Sequence, residues 1–231
     1  MSTLIGLKCE QGLEGIVLIS DFSGTQTKWN YSEEGVAYKQ QLRTNSQKFY
    51  IDNNRSIVLG ASGTIDDAYI MLLSKILKNN ELIKKAIKKK FFKELFNLNI
   101  SRWGGYYPDA DKVSSLLVAT RFDEPRLYNF YPMGNIEETF AETLGTGARF
   151  AKEYLLKQGK IISARLSINE GIKKGFESLY ASYQDIYTFS CDLIVLTKRG
   201  IGEFGKDIRD CAEFAEKKAI ERIRRKYKKN Q

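Results

Sequence analysis

The hydrophobic period of this chain changes in blocks, and the blocks come in pairs. Residues 3–9 and 15–20 alternate or run apolar, with Gly12 and Gly15 between them; runs of this kind around a glycine turn read as a β-hairpin. QKFYID and SIVLGAS repeat the pattern around Asn53-Asn54, and SSLLVATRF and RLYNFYPMG repeat it around Glu124-Pro125. Helical spacing takes over after Gly63. DDAYIMLLSKIL carries Asp66 and Asp67 at its start, where negative charge suits the helix dipole. ELIKKAIKKKFFKELFNL predicts a second helix, with Ile83, Ile87, Phe91 and Leu95 every four residues. TFAETLGTGA reads as a strand end and a glycine turn, and RFAKEYLL as a helix. SINEGIKKGFESLYASY is another helix, its Ser167 and Glu170 spaced as a capping box. CDLIVLTKRGIGEF is a further strand or hairpin, and the tail from Lys206 a last helix.

Strands in hairpins make antiparallel sheets, and paired helices need an apolar face to cover. The expected class is therefore α+β: a four-layer α/β/β/α sandwich of two antiparallel sheets flanked by helix pairs. No Pro-, Gly- or Ser-rich linker and no internal repeat divides the chain, so a single domain over 2–204 is expected, followed by a basic helical extension at 205–231. The stretch from Thr25 to Ser46 is polar and poor in apolar periodicity.

The 231 residues contain no histidine. That removes every Ser-His-Asp and Cys-His arrangement and every imidazole metal site. A hydrolase built on this chain must find its base in a lysine, a carboxylate or the α-amine, whose ordinary pKa of about 7.7–8.0 lies near working pH. Cys9, Cys191 and Cys211 are odd in number and show no CxxC spacing. They imply neither a disulfide frame nor a zinc site, and suit a reducing compartment, the cytoplasm or the nucleus. No cofactor is implied. No apolar stretch is long enough to span a bilayer, and no basic segment with an apolar h-region opens the chain.

Six segments, in order, resemble the proteasome β-subunit branch of the N-terminal nucleophile hydrolases. STLIGL resembles the family's opening strand. IVLISDFSGT resembles its second strand, and SIVLGASGTIDDAYIMLLSKIL its glycine turn into the first helix. LLVATRFDEPRLYNFYPMG is similar to its central hairpin, and ETLGTGARFAKEYLL to its glycine-hydroxyl-glycine loop and third helix. SINEGIKKGFESLYASYQDIYT with DLIVLTKRGI resembles its fourth helix, acidic loop and closing strand. The resemblance runs from residue 2 to about residue 204. It implies the N-terminal nucleophile hydrolase fold and peptide-bond hydrolysis: the first residue's hydroxyl attacks a peptide carbonyl and its own amine takes the proton.

Carried over residue by residue, the resemblance assigns the nucleophile to Ser2 when STLIGL is laid on the family strand without a gap. Thr3 is the alternative, and a one-residue shift would reverse every face. Asp21 matches the family's buried aspartate. The lysine position falls on Lys48 or on its neighbour Gln47. Strand alternation sets Gln47 with the apolar Phe49 and Ile51, and Lys48 with Tyr50 and Asp52, which read as exposed. A glutamine there could not supply the charge that helps deprotonate a hydroxyl, which leaves a catalytically inactive subunit open; Lys39 is a remote substitute. Gly63 matches the glycine whose N–H serves as an oxyanion donor. Thr146 falls in the glycine loop, and Asp185 and Thr188 fall near a supporting aspartate and serine. The 25–46 insertion is about ten residues longer than the family's connection, in a region that lines its specificity pocket.

The net charge of +9 gathers in two helical stretches, LIKKAIKKKFFKEL and the tail ending RIRRKYKKNQ. An alternating apolar and lysine pattern reads as an amphipathic helix with a solvated face rather than a nucleic-acid surface. The partners the resemblance implies are like β-type subunits and α-type subunits in stacked rings, with unfolded polypeptide as substrate. A non-catalytic structural subunit and a stand-alone amidohydrolase or transpeptidase of the same fold remain the alternatives.

Overall fold

The computed structural model describes residues 3–21, 23–31, 37–45, 48–103, 113–157, 166–182 and 191–202. In chain order its strands and helices are β1 (Leu4–Cys9), β2 (Gly15–Asp21), β3 (Ser23–Tyr31), β4 (Ala37–Asn45), β5 (Phe49–Ile51), β6 (Ile57–Ser62), α1 (Asp67–Lys78), α2 (Glu81–Lys89), α3 (Lys93–Trp103), β7 (Ser115–Thr120), β8 (Arg126–Phe130), β9 (Ile136–Glu138), β10 (Ala141–Leu144), α4 (Ala148–Lys157), α5 (Ile168–Ser182), β11 (Cys191–Thr197) and β12 (Gly200–Gly202). The tail from Lys206 and the proposed 205–231 extension lie outside the described residues.

Two five-stranded antiparallel sheets form, in the orders β10-β1-β2-β11-β12 and β5-β6-β7-β8-β9. Alternation along β1 shows how they pack. Leu4 joins Leu18, Phe49, Leu117 and Leu127 in a cluster drawn from both sheets. Ile5, Leu7 and Cys9 point the other way, into a cluster with Ala151 and Leu155 of α4 and Phe176 and Leu179 of α5. A third cluster joins Leu59, Leu116 and Phe130 of the second sheet to Tyr69 and Leu73 of α1 and to Ile83, Phe92 and Leu95. Apolar residues on both faces of these strands reflect cover on both faces. The protein is thus mixed α+β with two antiparallel sheets and five helices among the described residues, an arrangement compatible with a layered sandwich.

Local chemistry sets the element ends. Asp66 caps α1, its carboxylate accepting from the Tyr69 N–H at 2.9 Å. The Ser167 and Glu170 capping box opens α5: the Ser167 N–H and hydroxyl donate to Glu170 at 2.9 and 2.8 Å, and the Glu170 N–H returns a bond to Ser167 Oγ at 3.3 Å.

Three expectations need correction. The helix expected to run through residues 81–98 is two, α2 and α3, separated at Lys90, whose φ of 52° is left-handed. The break shifts the helical phase. Phe92, rather than Phe91, enters the core, fully buried and edge-on to Phe130 at 5.5 Å, while Phe91 bridges to Asn135. A left-handed non-glycine residue costs about 1–2 kcal/mol, against about 3–5 kcal/mol lost when a buried phenylalanine is truncated, so the aromatic decides. Second, the polar 25–46 stretch is not strandless: β3 and β4 pair along their length as a two-stranded ribbon, from Ser23 opposite Asn45 to Tyr31 opposite Ala37. Third, the face of β5 shared by Tyr50 and Asp52 is not exposed. Tyr50 packs against the helix-side core. Asp52 is buried, its carboxylate accepting from the Ser56 and Ile57 N–H groups, both at 2.6 Å, and closing the hairpin turn.

Candidate functional site

The β1–β2 register pairs Leu4 with Ser20, so one residue further out Thr3 stands opposite Asp21. The Thr3 N–H donates to Asp21 Oδ1 at 2.8 Å, and the Asp21 N–H donates back to the Thr3 carbonyl at 3.2 Å. Asp21 pairs on its other side with Cys191 of β11. It lies at the end of a wholly buried strand, and its own exposure is 1%.

The charge that answers it comes from the other sheet. Lys48 is 3% exposed and ion-paired to Asp21 Oδ1. It immediately precedes β5, where alternation groups it with Tyr50 and Asp52, and that face is covered rather than exposed; that is why the pattern of faces misassigned it. Its carbonyl accepts from the Ala61 N–H at 2.9 Å, which holds Lys48 across the hairpin from β6. Burial pushes the Lys48 ammonium below the usual lysine value, and the adjacent Asp21 carboxylate offsets part of that fall. Gln47 lies outside the described residues.

The same hairpin carries Gly63, one residue beyond β6. Its φ is 101°, and a Cβ built there would lie 2.0 Å from the Val113 carbonyl oxygen. Only glycine fits both the backbone conformation and the space. The turn that follows is held from the side. Ser114 Oγ donates to the Thr64 carbonyl at 3.0 Å, and the Ser114 backbone is clamped by the Asn99 side chain through two bonds of 2.8 Å.

On the helix side, the Thr3 hydroxyl donates to Ser182 Oγ at 3.1 Å, and Ser182 Oγ donates to the Leu179 carbonyl at 2.6 Å. Gly147 presses against this pair; a Cβ on it would sit 2.2 Å from Thr3 Oγ1. The turn is closed by an Ala148 N–H bond to the Gly145 carbonyl at 3.0 Å, with Gly145 at a φ of 98°. Thr146 lies inside this turn.

Of the residues singled out in the sequence, the structure brings Asp21 and Lys48 into contact, sets Gly63 two residues past the Ala61 that bonds Lys48 across the hairpin, and puts Thr146 next to the glycine that touches Thr3. Ser2, Asp185 and Thr188 lie outside the described residues. Sequence reasoning missed Ser182 and Gly147. Gly147 belongs to a glycine-hydroxyl-glycine loop that was noticed, but Ser182 closes a helix with no local mark of its contact with a residue 179 positions away.

The arrangement supplies a buried ion pair whose carboxylate also accepts from the Thr3 main-chain N–H. A lysine with a lowered proton affinity, fixed by a carboxylate, can polarise or exchange a proton with a hydroxyl or amine beside it. Among the described residues no three His, Cys, Asp or Glu side chains gather to hold a metal ion, and no helix is long and apolar enough to cross a membrane. Compared with models of known protein families and with curated proteins, the chain matches none.

Proposed function

We propose that this chain is a proteasome β-type subunit or close homologue, with the N-terminal nucleophile hydrolase fold and peptide-bond hydrolysis as its activity. The observation that carries this reading is the buried Lys48–Asp21 pair, whose carboxylate also accepts from the Thr3 N–H. Thr3 Oγ1 is engaged by Ser182 and packed under Gly147, so the reading gives Thr3 an anchoring role and the nucleophile's role to Ser2, which is joined by its peptide bond to the nitrogen that Asp21 holds. With Met1 removed, the Ser2 hydroxyl attacks the substrate carbonyl carbon. The α-amine takes the hydroxyl proton, directly or through water, and passes it to the leaving amine. Water then hydrolyses the resulting ester and frees Ser2. Asp21 fixes Lys48, Lys48 lowers the proton affinity of the nucleophile, and the Gly63 N–H serves the oxyanion. Like subunits and α-type subunits in stacked rings are the proposed assembly, with unfolded polypeptide as substrate.

Intact mass and covalent labelling test the reading. A chain beginning at Ser2, with an epoxyketone or β-lactone adduct that Ser2→Ala abolishes and Thr3→Ala retains, is the expected result. Retained Met1 with no adduct would leave a non-catalytic subunit in its place, and a native mass of one chain would remove the ring.

A further inference from the structure

Arg102 lies in the last turn of α3, far in sequence from Gly63, yet its guanidinium braces the segment that follows Gly63 at two points. One nitrogen, Nη1, donates to Ser114 Oγ at 2.6 Å, and Ser114 Oγ in turn donates to the Thr64 carbonyl at 3.0 Å. Nε donates to Asp66 Oδ2 at 3.1 Å, and Nη2 pairs with Asp66 Oδ1. The same Asp66 carboxylate caps α1. The Arg102 side chain is only 10% exposed and lies over the Tyr69 ring, its guanidinium carbon 5.5 Å from the centroid. Burial alone would raise the Asp66 carboxyl, but the Arg102 and Tyr69 bonds outweigh it and hold the group below its ordinary value. Five donors in a planar fork suit this double grip; an ammonium cannot reproduce it.

We infer that Arg102 is a positioning residue for the Gly63 turn, holding in one orientation the backbone that presents the Gly63 N–H to the reacting carbonyl. Glycine at positive φ has wide conformational freedom, and an oxyanion donor works only when its direction is fixed before charge develops. Arg102 removes that freedom from the segment just after Gly63, at Thr64 through Ser114 and at Asp66 directly. The catalytic part of this inference rests on the peptidase reading above.

The test uses Arg102→Met, Arg102→Lys, Ser114→Ala and Asp66→Asn in the assembled protein. Readouts are steady-state hydrolysis of a peptide amide, thermal midpoint, and deuterium exchange over residues 57–68. Loss of an oxyanion donor lowers kcat about 10²–10³-fold, and loss of its brace is expected to lower kcat by about tenfold or more with KM unchanged. Arg102→Met and Ser114→Ala should lose similar amounts without adding, and Arg102→Lys should not recover the rate. Asp66→Asn, which keeps the Ser114 arm, should lose less. Exchange at Gly63–Asp66 should quicken in Arg102→Met. A lowered thermal midpoint with kcat intact would make Arg102 merely structural and overturn the catalytic part. Unchanged exchange in Arg102→Met would overturn the brace itself. A wild type with no hydrolysis would overturn the peptidase reading, while the exchange result would still decide whether Arg102 holds the turn.

Discussion

Replacing Lys48 with methionine removes a buried charge while keeping an unbranched stem in nearly the same volume. Asp21 is then left as a buried carboxylate whose countercharge is gone, still accepting from the Thr3 N–H. Removing one partner of a buried ion pair costs about 3–5 kcal/mol. For a chain of 150–250 residues each kcal/mol moves the thermal midpoint by about 2–4 °C, so a fall of roughly 6–20 °C is expected. An exposed pair would cost about 1 kcal/mol or less, and the two cases are easily separated. Urea unfolding at constant m value is the assay, with Asp21→Asn and the double variant completing a cycle. The double variant should be more stable than the sum of the single losses allows, by about 1–3 kcal/mol, because it buries no lone charge. Wild-type Lys48 adds a second signature. Its proton affinity is lowered on folding, so the unfolded chain binds more protons between that lowered value and the ordinary 10.5. Its contribution to stability therefore rises with pH through this window, and Lys48→Met should flatten the rise. A Lys48→Met loss below about 1 kcal/mol, additive with Asp21→Asn, would refute the reasoning.

Gly63→Ala places a methyl 2.0 Å from the Val113 oxygen at a φ of 101°; a loss of about 2 kcal/mol or more is expected in urea unfolding, and on the proposed peptidase reading hydrolysis is abolished. Gly147→Ala, aimed at Thr3 Oγ1, should cost about 1–3 kcal/mol, and Ser182→Ala about 1 kcal/mol, both measured by the same method. Lys90→Gly should stabilise the protein by about 1 kcal/mol, since glycine adopts the left-handed conformation after α2 without strain. Burial, and to a smaller extent Glu170, push the Cys9 thiol up to about 12; iodoacetamide at pH 8 should spare Cys9 in the native protein and modify it in urea.

What was legible in the residues was whatever depends on near neighbours. The hairpins at Gly12, Asn53-Asn54 and Pro125, the start of α1 at Asp66 and the capping box of α5 all follow from alternation, turn chemistry and donors three residues away. Asp21 and Gly63 were singled out only through the resemblance to the proteasome β-type family; local pattern alone read both as turn residues. The ribbon of β3 and β4 escaped because its sequence lacks the alternation of a half-buried strand.

Local residue pattern set the period of each segment, and so the class of element and the antiparallel pairing of neighbours, because backbone hydrogen bonds and side-chain direction repeat over two to four residues. Assembly of the layers is what turns Lys48 inward to Asp21, brings Phe92 and not Phe91 into the core, and sets Ser182 against Thr3. Those outcomes depend on contacts between chain segments and on which face a neighbouring layer covers. Desolvation and packing act through space, and a local pattern carries no record of what will lie across from it.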